Sequence, residues 1–152
     1  MVTINQKLIE VLNNNRNKKI ILYGAASRGI RVFYNLLQKG IDKNQILFCD
    51  SNKKKWNTEF LDSKIISTEE LLSYPKDTCI IISSSMHYEI LPYLNDLGLS
   101  NVHYFHSLLF AEQMFEKYEY DFLRIMQEID EQRGFDYEEG YTLYSSMKAV
   151  SN

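Results

Sequence analysis

The sequence is poor in residues that break or staple a chain: six glycines, two prolines and two cysteines occur among 152 residues. So little glycine and proline excludes collagen-like and low-complexity classes. Two cysteines are too few for a disulfide scaffold, and Cys49 and Cys79 each sit at the margin of an apolar run, where a thiol behaves as a small hydrophobe. Both are expected to be buried free thiols. There is no Cys-x-x-Cys pair or Cys/His cluster, so no metal site is expected. No run approaches the roughly 20 apolar residues of a membrane span, and Met1 to Lys19 lacks the apolar stretch of a signal peptide. A soluble, cytoplasmic chain without membrane insertion is expected. Charge of one sign is also missing: 17 basic residues face 20 acidic ones, a net −3, which gives no field favouring nucleic acid.

What is present is an ordinary globular mixture, 45% hydrophobic and 24% charged, at a length that fits one domain. Ile4, Leu8, Val11 and Leu12 recur at helical spacing, so residues 3–15 read as a packing helix. Lys19-Ile20-Ile21-Leu22-Tyr23 is a short, continuously apolar run closed by Gly24, the pattern of a strand buried on both faces. From Ser27 to Lys39 the apolar positions return to helical spacing, and Gly40 stops the helix. Gln45 to Asp50 then makes a second buried strand. Strand, glycine turn, helix and strand form a βαβ unit.

Beyond it, Ser51 to Asp62 reads as a loop and Lys64-Ile65-Ile66 as a short strand. Ser67 or Thr68 caps a helix over Thr68 to Ser73 that Pro75 ends. Thr78 to Ser83 is a third strong strand, a helix runs from about His87 to Leu97 before Gly98, and Val102 to Phe105 is the last strand. The alternation predicts an α/β fold, a small Rossmann-like doubly wound parallel sheet in the order 3-2-1-4-5. Residues 1–107 form this nucleotide-binding part. Residues 108–152 supply an aromatic-rich C-terminal helix and tail, in which Leu108, Phe110, Phe115, Tyr118 and Phe122 spread around the helix circumference. Such a helix has two faces to bury, one on the sheet and one on a second subunit, so a homodimer is expected.

Gly24-Ala25-Ala26-Ser27-Arg28-Gly29 follows the dinucleotide fingerprint G-x-G-x-x-G with alanine at the middle position. The first glycine permits the tight turn and the third permits close helix packing. Ala26 adds a methyl where a pyrophosphate would lie, which disfavours NAD in its usual pose. Ser27 offers a hydroxyl, Arg28 a cation, and the N–H groups opening the helix favour an anion. Asp50, twenty-one positions after Gly29, ends the second strand where a ribose-binding carboxylate belongs. The competing reading is that the glycines serve packing alone and Asp50 is a turn residue.

At the end of the third strong strand, Ser83, Ser84 and His87 lie at the carboxyl edge where ligands of open α/β sheets collect. Capping of the next helix is the alternative for the serines, and no Gly-x-Ser-x-Gly elbow supports a hydrolase. His103 and His106 fit surface or cap roles, with His103 and Phe105 on one strand face. Tyr144 and Lys148 match the Tyr-x-x-x-Lys spacing of short-chain dehydrogenases, against chance or packing.

The stretches Ile20 to Gly29, Phe48 to Trp56 and Lys64 to Leu71 together resemble a compact Rossmann-like domain of bacterial sugar and surface-polysaccharide pathways. The resemblance covers roughly residues 18–107 and is similar to the N-terminal domain of sugar N-acyltransferases and to a domain attached to sugar-pathway methyltransferases. It implies a nucleotide-sugar ligand near Gly24, Ala26, Ser27, Gly29 and Asp50, and a role accessory to a transferase. The acyltransferases' β-helix repeats and a methyltransferase domain are absent from this sequence. Two further readings stay open, a non-catalytic interaction module and a small NAD(P)-dependent sugar reductase or epimerase-like enzyme.

Overall fold

The structure is a computed structural model that describes residues 6–105, Leu108 and 140–142. Helix α1 (Gln6–Asn14) precedes strand β1 (Ile20–Tyr23), α2 (Ser27–Gln38) and β2 (Ile46–Cys49). A short hairpin, β3 (Glu59–Phe60) with β4 (Ser63–Ile66), leads to α3 (Thr68–Leu71), β5 (Cys79–Ile82), α4 (His87–Asp96) and β6 (Val102–Phe105). A final strand, β7 (Gly140–Thr142), pairs antiparallel with β6.

The sheet order is β3-β4-β2-β1-β5-β6-β7. Its central strands β4, β2, β1, β5 and β6 are all parallel, which is the 3-2-1-4-5 order expected from the alternation. β1 and β5 are completely buried, as continuous Ile/Leu runs require between two helical layers. Register aligns Leu22 with Phe48 and Ile81, and Ile81 with His103, so these side chains share one face. On that face Phe33 of α2 packs against Phe48, with ring centroids 5.9 Å apart. On the other, His87 of α4 stacks on Tyr104 at 3.9 Å. Helices therefore cover both faces, the doubly wound arrangement of a Rossmann-like fold.

Local chemistry sets the element ends. Ser67 caps α3 by accepting from the Glu70 N–H, and Asn15 closes α1 by donating to the Val11 carbonyl at 2.7 Å. Cys49 and Cys79 are free and buried. Burial pushes both thiols up to about 12.

Two expectations need correction. Ser51 to Asp62 is not a simple loop: it holds a 3₁₀ turn at Lys53–Lys55 and strand β3. The β3–β4 turn is the two-residue Leu61-Asp62, both at positive φ (50° and 64°), so the hairpin forms without the Asn-Gly signal that would have announced it. His103 does not lie at the surface; it is buried on the α2 face, stacked with Phe105. A surface role rested on the polarity of the ring, whereas its place on the strand puts it on a covered face of the sheet. The expected C-terminal helix, its dimer contact, His106, Tyr144 and Lys148 all lie outside the described residues.

Candidate functional site

The glycine turn joins β1 to α2 at the carboxyl edge of the sheet, between the ends of β2 and β5. Gly24 has φ +129°, and a Cβ there would stand 2.5 Å from the Ser83 carbonyl oxygen. Both the backbone and the space therefore require glycine. Gly29 sits in the first turn of α2, where a Cβ would overlap the Gly24 carbonyl oxygen and approach Phe48 at 3.3 Å. This is the close helix–strand approach assigned to the third fingerprint glycine. Ala26 is different: it is exposed, with φ −146° and ψ −154°. An L side chain is unstrained at such a position, so the middle glycine of the pattern is needed for ligand approach and not for folding.

Ala26 is the N-cap of α2 and has no side chain to satisfy the helix's first N–H groups. The first intrahelical bond runs from the Ile30 N–H to the Ala26 carbonyl, which leaves the N–H groups of Ser27, Arg28 and Gly29 ahead of the ladder. Ser27 and Arg28 are exposed beside them. The twelve-residue helix adds its dipole at this end.

Asp50 stands opposite the turn. One carboxylate oxygen accepts the Ala25 N–H at 2.9 Å and the other accepts the Asn52 N–H at 2.9 Å. Lys55 brings its ammonium to 3.6 Å from Asp50 Oδ2 while donating to the Ala25 carbonyl at 2.8 Å. Trp56 Nε1 donates to the Asp50 carbonyl at 2.6 Å. The carboxylate is thus the clamp that fixes the glycine turn against the end of β2. The sequence reading missed Lys55 and Trp56 because Ser51 to Asp62 read as a loop. Its one signal was an indole in a stretch otherwise polar.

Ser83 is buried, and its hydroxyl donates to the Gly24 carbonyl at 2.8 Å. Ser84 Oγ accepts the Met86 N–H at 3.1 Å, one position before α4 begins. His87 is buried between the rings of Tyr88 and Tyr104. Hydrogen bonds tie Gly24 to Ser83 and Ala25 to Asp50 at this edge, beside exposed Ala26, Ser27 and Arg28, whereas His87 is buried in the core. Nearby, burial raises the Tyr23 phenol above its ordinary range, with Cys49 adding to the effect, so it stays protonated. Among the described residues no group of three or more His, Cys, Asp or Glu side chains could hold a metal, and no helix is long and apolar enough to cross a membrane.

A doubly wound parallel sheet with a glycine turn at its switch point defines a Rossmann-like domain. The chain belongs to the family described as C2185-like, N-terminal, whose model matches residues 16–105. Among solved structures it is similar to UDP-D-quinovosamine 4-dehydrogenase from Vibrio fischeri, with 24% identity and a TM-score of 0.45 over 58% of this chain and 77% of that one. A search of the curated proteins finds no match.

Proposed function

We propose that this domain binds a nucleotide, with a nucleotide-linked sugar as the intended ligand, and serves bacterial glycan assembly in the cytoplasm beside a transferase. One observation carries the reading: α2 opens at an uncapped Ala26, directly after a glycine turn that admits no side chain at either end. A phosphate would accept from the N–H groups of Ser27, Arg28 and Gly29, with the Ser27 hydroxyl and the Arg28 guanidinium at its flank. Residues 1–107 would supply this site, and the segment 108–152 would supply a homodimer contact. Isothermal titration of the full chain with NAD(H), UDP- and CDP-linked sugars and S-adenosylmethionine tests the proposal. A UDP- or CDP-linked sugar is expected to bind, and silence across the panel at roughly millimolar ligand overturns it.

A second reading, an interaction module with an empty turn, is favoured by the internal satisfaction of the polar groups around the turn. Asp50 accepts two backbone N–H groups, and the Ser83 hydroxyl is engaged with Gly24. The same engagement weighs against an NAD(P)-dependent reductase or epimerase, in which Asp50 would have to bind a ribose.

A further inference from the structure

Helix α2 keeps an apolar stripe on its solvent side. Ile30, Tyr34 and Leu37 follow one another at i, i+4 and i+7 and so share one flank; Leu37 is partly buried against the core, while Ile30 is 39% and Tyr34 52% exposed. The other exposed positions of α2 are Ser27, Arg28, Arg31 and Gln38, and the helix holds no acidic residue. Single exposed apolar residues need no partner, but here the chain itself comes back to this helix. Asn35, on the opposite flank, donates to the Leu108 carbonyl at 2.8 Å, and Leu108 is buried. The chain beyond Leu108 therefore starts one helix width, about 10 Å, from the exposed stripe, with Arg31 between them. It runs for 31 residues before Gly140 pairs with Phe105. Those residues, 109–139, contain ten acidic and three basic side chains, whereas residues 1–108 contain ten acidic and 13 basic ones. Near their start Phe115, Tyr118 and Phe122 interleave with Glu112, Glu116 and Glu119. An anionic, aromatic stretch tethered beside a cationic, half-apolar surface matches it on both counts, and the tether makes the encounter intramolecular.

We propose that the outer surface of α2 is the docking surface for residues 109–122 of the same chain, whose aromatic rings cover Ile30 and Tyr34 and whose carboxylates lie against Arg31. The proposal is independent of any ligand at the glycine turn. A nitroxide on Gln38→Cys tests it: Gln38 is exposed one turn beyond Tyr34, and burial of Cys49 and Cys79 leaves the new cysteine as the reactive thiol. In the ¹⁵N-labelled full chain the spin label is expected to broaden the amides of residues 109–122. In an equimolar mixture of spin-labelled chain without ¹⁵N and ¹⁵N-labelled chain without the nitroxide, the same amides are expected to stay sharp. Adding Tyr34→Asp to the spin-labelled chain, at a position 52% exposed that should not unfold the protein, replaces the ring by a carboxylate beside an acidic stretch. It is expected to remove at least about half of the broadening. Amides of residues 109–122 that stay sharp in the doubly labelled chain overturn the proposal. So does broadening in the mixture, which gives the surface to a second copy, or indifference to Tyr34→Asp.

Discussion

Replacing Gly29 with alanine isolates the steric part of the glycine turn, because among the described glycines only Gly24, Gly40 and Gly98 have positive φ and Gly29 therefore pays no backbone strain. An added methyl would overlap the Gly24 carbonyl oxygen, which is backbone held in place by the Ser83 hydroxyl at 2.8 Å, and would press on Phe48 at 3.3 Å. Overpacking of this kind costs about 1–3 kcal/mol, and an obstacle made of backbone belongs at the upper end. Alanine's better helix propensity returns up to about 1 kcal/mol, leaving a net loss of about 2 kcal/mol. For a chain of this length that lowers Tm by about 4–8 °C. Gly98→Ala is the control: φ is +81° but nothing lies within 4 Å, so it should cost about 1 kcal/mol from strain alone. Urea unfolding monitored by circular dichroism at one temperature compares the two. A Gly29→Ala protein as stable as the parent, or more stable than Gly98→Ala, would refute the close approach of α2 to β1.

Asp50→Ala removes the acceptor for the Ala25 and Asn52 N–H groups, and is expected to cost about 2 kcal/mol in the same assay whether or not ligand is present. His103 gives a pH dependence. Its folded pKa of about 4 lies below the ordinary 6.5, so the unfolded state takes up the proton first as pH falls. Stability contributed by the neutral ring is full above about pH 6.5 and declines by about 3 kcal/mol towards pH 4. The urea midpoint of His103→Gln should lose that slope relative to the parent. Cys49 and Cys79, buried and held protonated, should react with a thiol reagent at about pH 8 only as fast as the protein opens; immediate labelling of either would contradict their placement.

The parallel core was legible because its signals are local. Ile20 to Tyr23, Ile46 to Cys49 and Cys79 to Ile82 are unbroken apolar runs, and only a strand covered on both faces needs such a run. Gly24 and Gly29 could be assigned because each has a steric duty fixed by its place in the βαβ unit. What escaped depends on contacts distant in sequence. β3 turns through Leu61-Asp62, residues with no hairpin signature, and it forms because its partner β4 is already docked on β2. His103 is polar, and its burial on the sheet face beside Phe105, with Lys7 of α1 near it, depends on packing between elements far apart in sequence. Lys55 meets Ala25 and Asp50 only after a 3₁₀ turn reverses the chain, so no spacing rule singles it out from Lys53 and Lys54.

The claim that the turn from Gly24 to Gly29 holds a nucleotide phosphate is tested most directly by amide shift mapping with a UDP-linked sugar. Saturable shifts are predicted at the Ser27, Arg28 and Gly29 amides, with smaller ones from Asp50 to Asn52 as the clamp adjusts. A ligand that saturates the protein while these amides stay still, or one that leaves every amide unmoved at roughly millimolar concentration, would contradict the claim.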